Sequence, residues 1–469
     1  MLILRKQLNY HLNFANNKVV FLDVNKVSNK GINEEKSKLY ISVLMKFTIS
    51  QLVAILWLLF SIYLSTPWIN DLSAIVGKTS AIFIIAGIGY IPGYINAFVV
   101  TSLIFDRQPK YVTKDPYDDV TIIVACRNEE KQIYQTLQYI ANQDYKGSIH
   151  VIVVDNASTD ETYRIAKESG RVLGLDIYVI KEDIPGKFNA LNKALNYVVT
   201  DYVMTLDADT LLHKSAVRYI VSRIKSAPDD VCSVAGSVLV KNSRTSFIAK
   251  LQEWDYFLGI ASIKRMQGLY QGTLVAQGAF SLYKTRALKE VNGWPDAIGE
   301  DIVLTWRFLK KNMRVFYEPY AIAFTEVPIN LRHLGKQRSR WARGMIEALK
   351  EVRPWHHPIR YVRFLSGVNL VMPYIDFVYT FIWIPGLILA FFGNFSIVGP
   401  MTLLVLPLTL FQNYVIFSFQ ASIFQNMGLK IRQNRLSFLT YTLFYQMIMS
   451  PMSVIGYIQE MFYMQRIWK

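Results

Sequence analysis

Apolar runs of membrane-spanning length flank one long polar region, and this arrangement limits the folds open to the chain more than any other feature. Two runs, 47–64 and 81–104, precede the polar region, and three follow it, at roughly 364–392, 398–424 and 436–458. A transmembrane helix needs about 20 mostly apolar residues. Because 52% of all residues are hydrophobic, we predict a multi-pass membrane protein with a soluble middle domain.

Basic residues beside the apolar runs predict the orientation of the chain. Arg107, Lys110 and Lys114 follow the second run, and positive charge beside a transmembrane helix marks its cytosolic side. The middle domain is therefore expected in the cytosol, at the cell (plasma) membrane. The predicted segments are a polar tail (1–46), two transmembrane helices (47–104), the cytosolic domain (118–341), an amphipathic interfacial helix (342–363), about three transmembrane helices (364–460) and a C-terminal tail (461–469).

The net charge of +16 has two explanations, contact with anionic lipid or with a polyanionic ligand. Since the basic residues cluster beside the apolar runs, we expect a lipid bilayer as a partner and no nucleic acid. The cysteines are Cys126 and Cys232, and neither lies in a C-x-x-C or histidine-flanked pattern. The sequence therefore predicts neither a disulfide framework nor a zinc site, which fits a reducing compartment.

Short β-rich runs alternate with helical patterns through the middle domain. The runs 120–125, 150–154 and 202–206 are typical of buried strands, which predicts a mostly parallel sheet flanked by helices, an α/β fold. In such sheets ligands bind beyond the carboxyl ends of the strands. An acidic residue follows or ends each run, and we expect the site at this edge. These residues are Glu129, Asp155 and Asp207.

Asp207 and Asp209 form an Asp-x-Asp pair directly after the third strand. Alternate residues of an extended chain point to the same side, so both carboxylates are directed toward one ion. Such a pair suits a hard divalent cation, Mg²⁺ or Mn²⁺. The alternative is a polar turn in which an Asp caps a helix beginning near Lys214. His213 is either a further ligand or, as we expect, a surface-turn histidine.

Two patterns near these strands concern helix starts. Lys187 follows Gly186, and a cation after a glycine turn suits a phosphate but is equally typical of a solvated lysine at the start of a helix. After Asp155, the residues Ser158 and Glu161 match the S-x-x-E capping box, so we expect them to cap the next helix. Asp155 itself remains available at the end of its strand.

Two polar clusters lie further along the chain. Asp301, in Gly299-Glu300-Asp301, suits a general base, and equally the N-cap of a helix predicted at 302–311. A Gln-x-x-Arg-Trp motif follows, and its aromatic and guanidinium groups suit a ring and an anion. A basic interfacial helix with a tryptophan anchor is the alternative for this motif. Its residues are Gln337, Arg340 and Trp341.

The order of these clusters across 118–344 resembles that of membrane-bound processive family 2 glycosyltransferases. Bacterial poly-N-acetylglucosamine synthases are the most similar members, followed by chitin, hyaluronan and cellulose synthases. The resemblance implies a GT-A (Rossmann-like) cytosolic domain inserted between N- and C-terminal transmembrane helices. It further implies an inverting enzyme that uses a UDP-sugar, UDP-N-acetylglucosamine above all, to polymerise a β-linked polysaccharide and to export it.

The resemblance also implies roles for the residues of the site. The donor would contact Glu129, Asp155, Lys187 and Asp207, with Asp155 bound to the uracil base. Asp207 and Asp209 would hold the metal, and Asp301 would be the catalytic base. The acceptor or the diphosphate would contact Glu300, Gln337, Arg340 and Trp341, and the segment 277–280 is a weaker acceptor-side match. The implied partners are the UDP-sugar donor, the growing glycan acceptor, the bilayer and a small membrane accessory subunit.

Two other functions remain open at this stage. Some lipid glucosyltransferases share the Gln-x-x-Arg-Trp motif, so transfer of one sugar to a membrane lipid is one alternative. An inactive glycosyltransferase-like scaffold subunit is the other. Asp207, Asp209 and Asp301 argue against the scaffold, because an inactive domain has no physical reason to retain three separated carboxylates at strand and helix ends.

Overall fold

The computed structural model describes residues 41–107, 109–399, 402, 405–432 and 434–464. Most of the predicted polar tail, residues 1–40, lies outside the described residues, as does the end of the predicted C-terminal tail, 465–469. Both described cysteines are buried free thiols, Cys126 and Cys232.

Three helices precede the middle domain: α1 (Val43–Leu64), α2 (Thr66–Val76) and α3 (Lys78–Ile104). The helix α1 begins where Ser42 Oγ accepts a hydrogen bond from Met45 N, and Pro67 lies in the first turn of α2. The stretch between the first two apolar runs therefore contains a second, shorter helix. Buried polar contacts join α1 and α3 to the middle domain, since Ser102 Oγ lies 3.2 Å from Ser50 Oγ and 2.8 Å from Tyr270 Oη.

The middle domain is built on one sheet in the strand order β3-β2-β1-β4-β7-β6-β8-β5. The first four strands in this order pair in parallel, and β7 pairs antiparallel with both β4 and β6. This confirms the predicted α/β fold. Its elements are β1 (Val120–Cys126), α4 (Ile133–Ala141), β2 (Ile149–Asn156), α5 (Thr162–Leu173), β3 (Asp176–Glu182), α6 (Lys187–Leu195), β4 (Tyr202–Asp207), β5 (Leu211–Leu212), α7 (Ala216–Lys225), β6 (Val231–Val240), α8 (Phe247–Trp254), a π-helical segment (Asp255–Ile260), α9 (Ala261–Leu269), β7 (Phe280–Lys284), α10 (Thr285–Glu290), α11 (Glu300–Lys310) and β8 (Arg314–Thr325).

The register of the parallel strands brings their carboxyl ends to one edge. Cys126 of β1 pairs with Asp155 of β2, and Ala125 of β1 pairs with Asp207 of β4. The central strands are apolar on both faces because helices cover each face, and Ile122 and Ile123 are both fully buried. Asp155 and Asp207 therefore lie on either side of β1, two strand spacings or roughly 10 Å apart.

The Gln-x-x-Arg-Trp motif lies inside one long helix, α12 (Leu331–Glu351). Asn330 starts this helix, because its side chain accepts a hydrogen bond from His333 N at 2.9 Å. The predicted amphipathic helix over 342–363 thus begins earlier, at Leu331, and ends at Glu351. A short 3₁₀ turn, Pro354–His356, separates it from the next helix.

Three further helices follow: α13 (Arg360–Phe391), α14 (Val405–Asn426) and α15 (Arg435–Met461). Within the described part of the chain, three helices are long and apolar enough to cross a membrane, namely α1, α3 and α13. They correspond to the first three apolar runs of the sequence. The helices α14 and α15 cover the last two runs, whose membrane crossing stays a prediction.

Polar contacts hold α15 against its neighbours. In α13, Asp376 accepts hydrogen bonds from three side chains of α15: Gln446 Nε2 at 3.3 Å, Ser450 Oγ at 2.7 Å and Tyr457 Oη at 2.8 Å. Gly456 of α15 allows this helix to pack closely against α12, because a Cβ on Gly456 would lie 2.4 Å from Ser339 O of α12. The motif helix is therefore supported directly by the last described helix.

Candidate active site

The end of β4 carries the predicted Asp-x-Asp pair. Asp207 is the last residue of β4, and Asp209 is held by the hydroxyls of Thr210 and Thr325, each 3.2 Å from its Oδ1. Ser215, not an aspartate, occupies the N-cap position of the following helix. The alternative of a helix-capping aspartate is therefore wrong, and the pair is positioned by the sheet.

Lys187 joins this pair from the first turn of α6. Its Nζ lies 2.5 Å from Asp207 Oδ1 and 3.5 Å from Glu300 Oε1. Burial alone would lower the pKa of the ammonium, but these two carboxylates outweigh it and raise the pKa. Gly186 precedes it at φ 142°, a conformation that favours glycine. Lys187 is thus a half-buried, ion-paired cation and not a solvated lysine at a helix start.

Asn156, at the end of β2, fixes the loop that carries Lys187. Its Oδ1 accepts a hydrogen bond from Gly186 N at 2.8 Å, and its Nδ2 donates to Ile184 O at 2.7 Å. The sequence analysis did not single out this residue. The signal available in the sequence was the amide side chain directly after Asp155, at the end of a predicted strand.

Carboxylates crowd the edge of the sheet around Asp207 and Asp209. Burial, followed by repulsion from Asp207, raises the pKa of Asp209. Burial, Asp209 and Asp207 together raise the pKa of Glu129 to about 7. In the described ranges no three His, Cys, Asp or Glu side chains are grouped as metal ligands. The donor set thus suits one divalent cation that takes its remaining ligands from outside the protein.

Asp155 has an unsatisfied oxygen at the end of β2. The residue is 5% exposed, and its Oδ1 has no hydrogen-bond partner among the described residues. A buried carboxylate oxygen without a donor is costly, so this position suits a ligand that brings an N–H or O–H group.

Glu129 lies in a loop pinned to the start of α5. Its backbone N–H donates to Thr162 Oγ1 at 2.7 Å, and Asn128 N–H donates to Ser158 Oγ at 2.9 Å. The predicted capping box is therefore wrong, because Ser158 binds this loop and Asp160 Oδ1 accepts from Thr162 N. The capping pattern fails because a tertiary contact takes the serine.

Glu300 and Asp301 open α11 opposite the strand ends. Asp301 Oδ2 accepts a hydrogen bond from Gly278 N at 3.2 Å, and Oδ1 accepts from Ile302 N at 2.8 Å. Gly299 occupies the N-cap position, so the prediction of Asp301 as N-cap is wrong. Burial raises the pKa of Glu300, and the positive charge of Lys187 opposes this increase. The Asp301 carboxylate is thus held by two backbone N–H groups, at the wall of a cavity that Asp207 and Asp209 also line.

Glu347 of α12 caps α11 from outside. Its Oε2 accepts hydrogen bonds from both Ile298 N, at 2.7 Å, and Gly299 N, at 3.1 Å. Two glycines permit this contact, because a Cβ on Gly299 would lie 2.6 Å from Gly344 Cα. The helix that carries the Gln-x-x-Arg-Trp motif therefore also positions Asp301, a link that the sequence analysis missed.

The motif residues face the same cavity, whose volume is about 430 Å³. Trp341 is 40% exposed, and the Arg338 guanidinium lies 4.1 Å from its ring centroid on one face. Arg338 in turn contacts Asp255 Oδ2 at 2.7 Å and the Tyr445 hydroxyl of α15 at 3.2 Å. The indole is thus a supported platform. Predicted site residues that line the cavity are Lys187, Asp207, Asp209, Glu300, Asp301, Gln337, Arg340 and Trp341.

The remaining predicted residues have other places. Glu129 and Asp155 lie at neighbouring strand ends, outside the residues that line this cavity. His213 is buried, which lowers its pKa to about 4, so it is not the expected surface-turn histidine. Its Nδ1 accepts a hydrogen bond from Ser215 N at 3.3 Å. Lys264, which the sequence analysis missed, also lines the cavity.

Comparisons with known proteins agree with this geometry. The family model described as "Glycosyltransferase like family 2" matches residues 116–344. The chain is 31% identical over 292 residues to the poly-beta-1,6-N-acetyl-D-glucosamine synthase of Staphylococcus aureus (strain COL), covering 59% of this chain and 69% of that protein. The protein of the same name from Staphylococcus epidermidis is 31% identical over 271 residues, covering 57% and 64%.

Among solved structures, the chain resembles a mannosyltransferase, PcManGT from Pyrobaculum calidifontis, determined in complex with GDP-Man and Mn²⁺. The TM-score is 0.56 at 19% sequence identity, covering 85% of this chain and 100% of that one. At this identity the similarity concerns the fold alone.

Proposed function

Because the chain belongs to glycosyltransferase family 2 and is a glycosyltransferase with a GT-A fold, we propose that it uses a UDP-sugar, UDP-N-acetylglucosamine first, to polymerise a β-linked polysaccharide at a membrane. The observation that carries this proposal is a single cavity in which the strand-end aspartates and Lys187 face Asp301 and Trp341. The relatives' name, poly-beta-1,6-N-acetyl-D-glucosamine synthase, supports the choice of sugar.

The nucleotide fits along the carboxyl edge of the sheet. The unsatisfied Oδ1 of Asp155 would accept the N3–H of uracil, and Glu129 would enclose the nucleotide beside it. Asp207 lies two strand spacings away, roughly 10 Å, which suits the separation of a base from its diphosphate. Lys187, already ion-paired with Asp207, would face the phosphates.

Asp207 and Asp209 would hold one Mg²⁺ or Mn²⁺ at the end of β4. When bound, the ion neutralises the charge that develops on the departing diphosphate. The Mn²⁺ in the mannosyltransferase structure supports use of a divalent cation. Arg340, exposed at the cavity, would pair with the same diphosphate.

Asp301 would act as the general base. The acceptor hydroxyl gives its proton to the Asp301 carboxylate, its oxygen forms a bond to the anomeric carbon, and the bond from that carbon to the diphosphate breaks. Attack opposite the leaving UDP inverts the anomeric centre, so no second carboxylate is required as nucleophile. Gln337, Glu300 and Trp341 would bind the acceptor or the diphosphate around this carbon.

We further propose that the helices α1, α3 and α13 cross the plasma membrane with the sheet domain in the cytosol. The basic residues after α3 support this orientation. Because both native cysteines are buried, a cysteine introduced at Val199, which is 90% exposed, is a selective probe. It should react with an impermeant thiol reagent in lysed cells and not in intact ones, and labelling of intact cells would overturn the orientation.

The proposed function is tested with purified protein, Mn²⁺ and separate labelled UDP-sugars. We expect UDP-N-acetylglucosamine to give a polymer sized by electrophoresis, and the product to vanish with excess chelator. A product that partitions into organic solvent with a single sugar would instead show a lipid acceptor. The absence of both UDP binding and transfer from every UDP-sugar would contradict the proposal and favour an inactive scaffold or the export of a polysaccharide with an accessory subunit.

A further inference from the structure

Lys264 is a cation of the cavity that lies apart from the aspartate pair. It belongs to α9 and lines the same cavity as Asp301 and Trp341. Its Nζ donates a hydrogen bond to Val275 O at 2.7 Å. A lysine ammonium has three N–H donors, and among the described residues no carboxylate lies within ion-pair distance of this one. The ammonium therefore retains donors for a ligand in the cavity.

The strip of chain at 275–278 connects Lys264 to Asp301. At its first residue Val275 O binds Lys264 Nζ, and at its last residue Gly278 N donates to Asp301 Oδ2. Three residues of extended chain span at most about 10 Å. The Lys264 ammonium and the Asp301 carboxylate are therefore held at the two ends of this short strip, and both line the same cavity.

The strip is rigid between these two contacts. Ala276 N–H donates to Thr305 Oγ1 at 2.9 Å, and Ala276 O accepts from the Tyr283 hydroxyl at 2.9 Å. Gln277 Nε2 donates to Gly236 O at 2.6 Å. The strip is thus held by three separate elements of the fold, α11, β7 and β6.

Gly278 is the end of the strip that lies nearest to Lys187. A Cβ on Gly278 would lie 2.8 Å from Lys187 Nζ and 3.4 Å from Glu300 Oε1. Lys187, which is proposed to bind the diphosphate, therefore lies at the Gly278 end of the strip, and Lys264 lies at the Val275 end. Burial lowers the pKa of Lys264 to about 8, an effect that the nearby Asp301 opposes. At neutral pH the group is still mostly a cation.

We propose that Lys264 binds the acceptor sugar, donating hydrogen bonds to a carbonyl or hydroxyl oxygen of its terminal residue while the hydroxyl to be glycosylated faces Asp301. This inference rests on the proposed function, since it requires a glycan acceptor. It assigns the two lysines of the cavity different ligands, with Lys187 on the donor phosphates and Lys264 on the acceptor.

The test compares Lys264→Met with Lys250→Met, a matched control on the neighbouring helix α8 and outside the residues that line the cavity. Three quantities are measured on each full-length protein: UDP affinity by calorimetry, UDP release from UDP-N-acetylglucosamine in water, and UDP release with increasing β-linked N-acetylglucosamine oligomers. For Lys264→Met we expect the half-saturating acceptor concentration to rise roughly 10- to 100-fold, because the acceptor loses its hydrogen bonds from a charged donor. UDP affinity and release into water should stay near wild type in both variants.

A second variant, Lys264→Gln, keeps N–H donors without the charge and should restore part of the acceptor affinity. Unchanged acceptor saturation in Lys264→Met would overturn the inference, as would UDP affinity that falls in parallel in both Lys264 variants, because Lys264 would then be structural. If the wild-type protein neither binds UDP nor releases it from any UDP-sugar, the proposed function itself fails. The two failures are therefore distinguishable.

Discussion

The two sides of the cavity are built in different ways. The proposed donor side has Asp207 at the end of β4, Asp209 just after it and Lys187 in the first turn of α6, with Asp155 at the end of β2 beside the cavity. The proposed acceptor side combines side chains from separate helices. These are Lys264, Asp301, Gln337 and Trp341. Donor geometry therefore follows from the sheet register, whereas acceptor geometry depends on how α9, α11, α12 and α15 pack.

The two sides also differ in charge. On the donor side, several carboxylates surround one ammonium, so that a cation and a diphosphate together complete the charge balance. The acceptor side offers an aromatic face, one carboxylate and one separate ammonium, which suits a neutral, hydroxylated ligand. If this comparison is right, substitutions on the donor side should impair nucleotide and metal use, and those on the acceptor side should spare them.

The largest effect is expected on the donor side, for Asp209→Asn. The amide retains an oxygen for Thr325 but loses the charge that holds the cation, so transfer should be abolished while the fold persists. Asp176→Asn, at the exposed start of β3, is the control. Activity is measured as UDP release with added Mn²⁺. An active Asp209→Asn enzyme, or activity in excess chelator, would show that transfer does not require a cation held by Asp209.

The next effect separates chemistry from binding. Asp301→Asn keeps an oxygen for Gly278 N but accepts no proton, so turnover should fall roughly 10²- to 10⁴-fold with UDP affinity near wild type. Turnover and calorimetric UDP binding are measured on the same preparation. Equal losses in both quantities would mark Asp301 as a structural residue instead.

Glu347 tests whether packing sets the acceptor side. Removing its carboxylate in Glu347→Ala releases Ile298 N and Gly299 N and should lower turnover roughly 10- to 100-fold. UDP affinity should change little, because the two N–H groups that Glu347 binds lie at the start of α11 and not at the strand ends. Both hydrogen bonds go to a single oxygen, so Glu347→Gln can keep them and should recover most of the activity. If the glutamine and alanine variants are equally impaired, the charge and not the capping contact is responsible.

The smallest effect is expected for the aromatic platform. Trp341→Ala removes a stacking surface and should raise the half-saturating acceptor concentration by up to about 10-fold, with UDP affinity unchanged. Trp355→Ala, at an exposed tryptophan just after α12, is the control. Polymer length is measured together with acceptor saturation. A Trp341→Ala enzyme with normal values for both would reduce this residue to a membrane anchor.

The sequence predicted the donor side better than the acceptor side, and the same difference explains why. Strands β1, β2 and β4 are buried on both faces, so they appear as continuous apolar runs and their last residues can be read directly. Strands β6, β7 and β8 pair across long stretches of sequence and were not predicted. Their positions depend on tertiary pairing, which no local pattern encodes.

Helix starts were the main source of error. Ser158 was predicted to cap α5, and capping was the alternative role for Asp301 and the aspartate pair, yet Asp160 binds the first turn of α5 and Gly299 and Ser215 occupy the other two N-cap positions. In each case a contact from a distant element competes with the local pattern. Lys264 and Glu347 were missed because neither lies in a recognised motif, and each is placed by a contact with another segment of the chain, Val275 for Lys264 and Ile298 for Glu347.

The contacts of Asp376 bear on how the protein enters a membrane. If α13 crosses the bilayer as proposed, the Asp376 carboxylate enters the apolar phase during synthesis. Its three partners in α15 have not yet been translated at that point; they are Gln446, Ser450 and Tyr457. An unpaired carboxylate at that depth disfavours insertion by a few kcal/mol, about 2.5–3.5 on translocon scales. Stable integration of α13 would therefore wait for α15, and chains truncated before residue 446 should be retained at the insertion machinery or degraded.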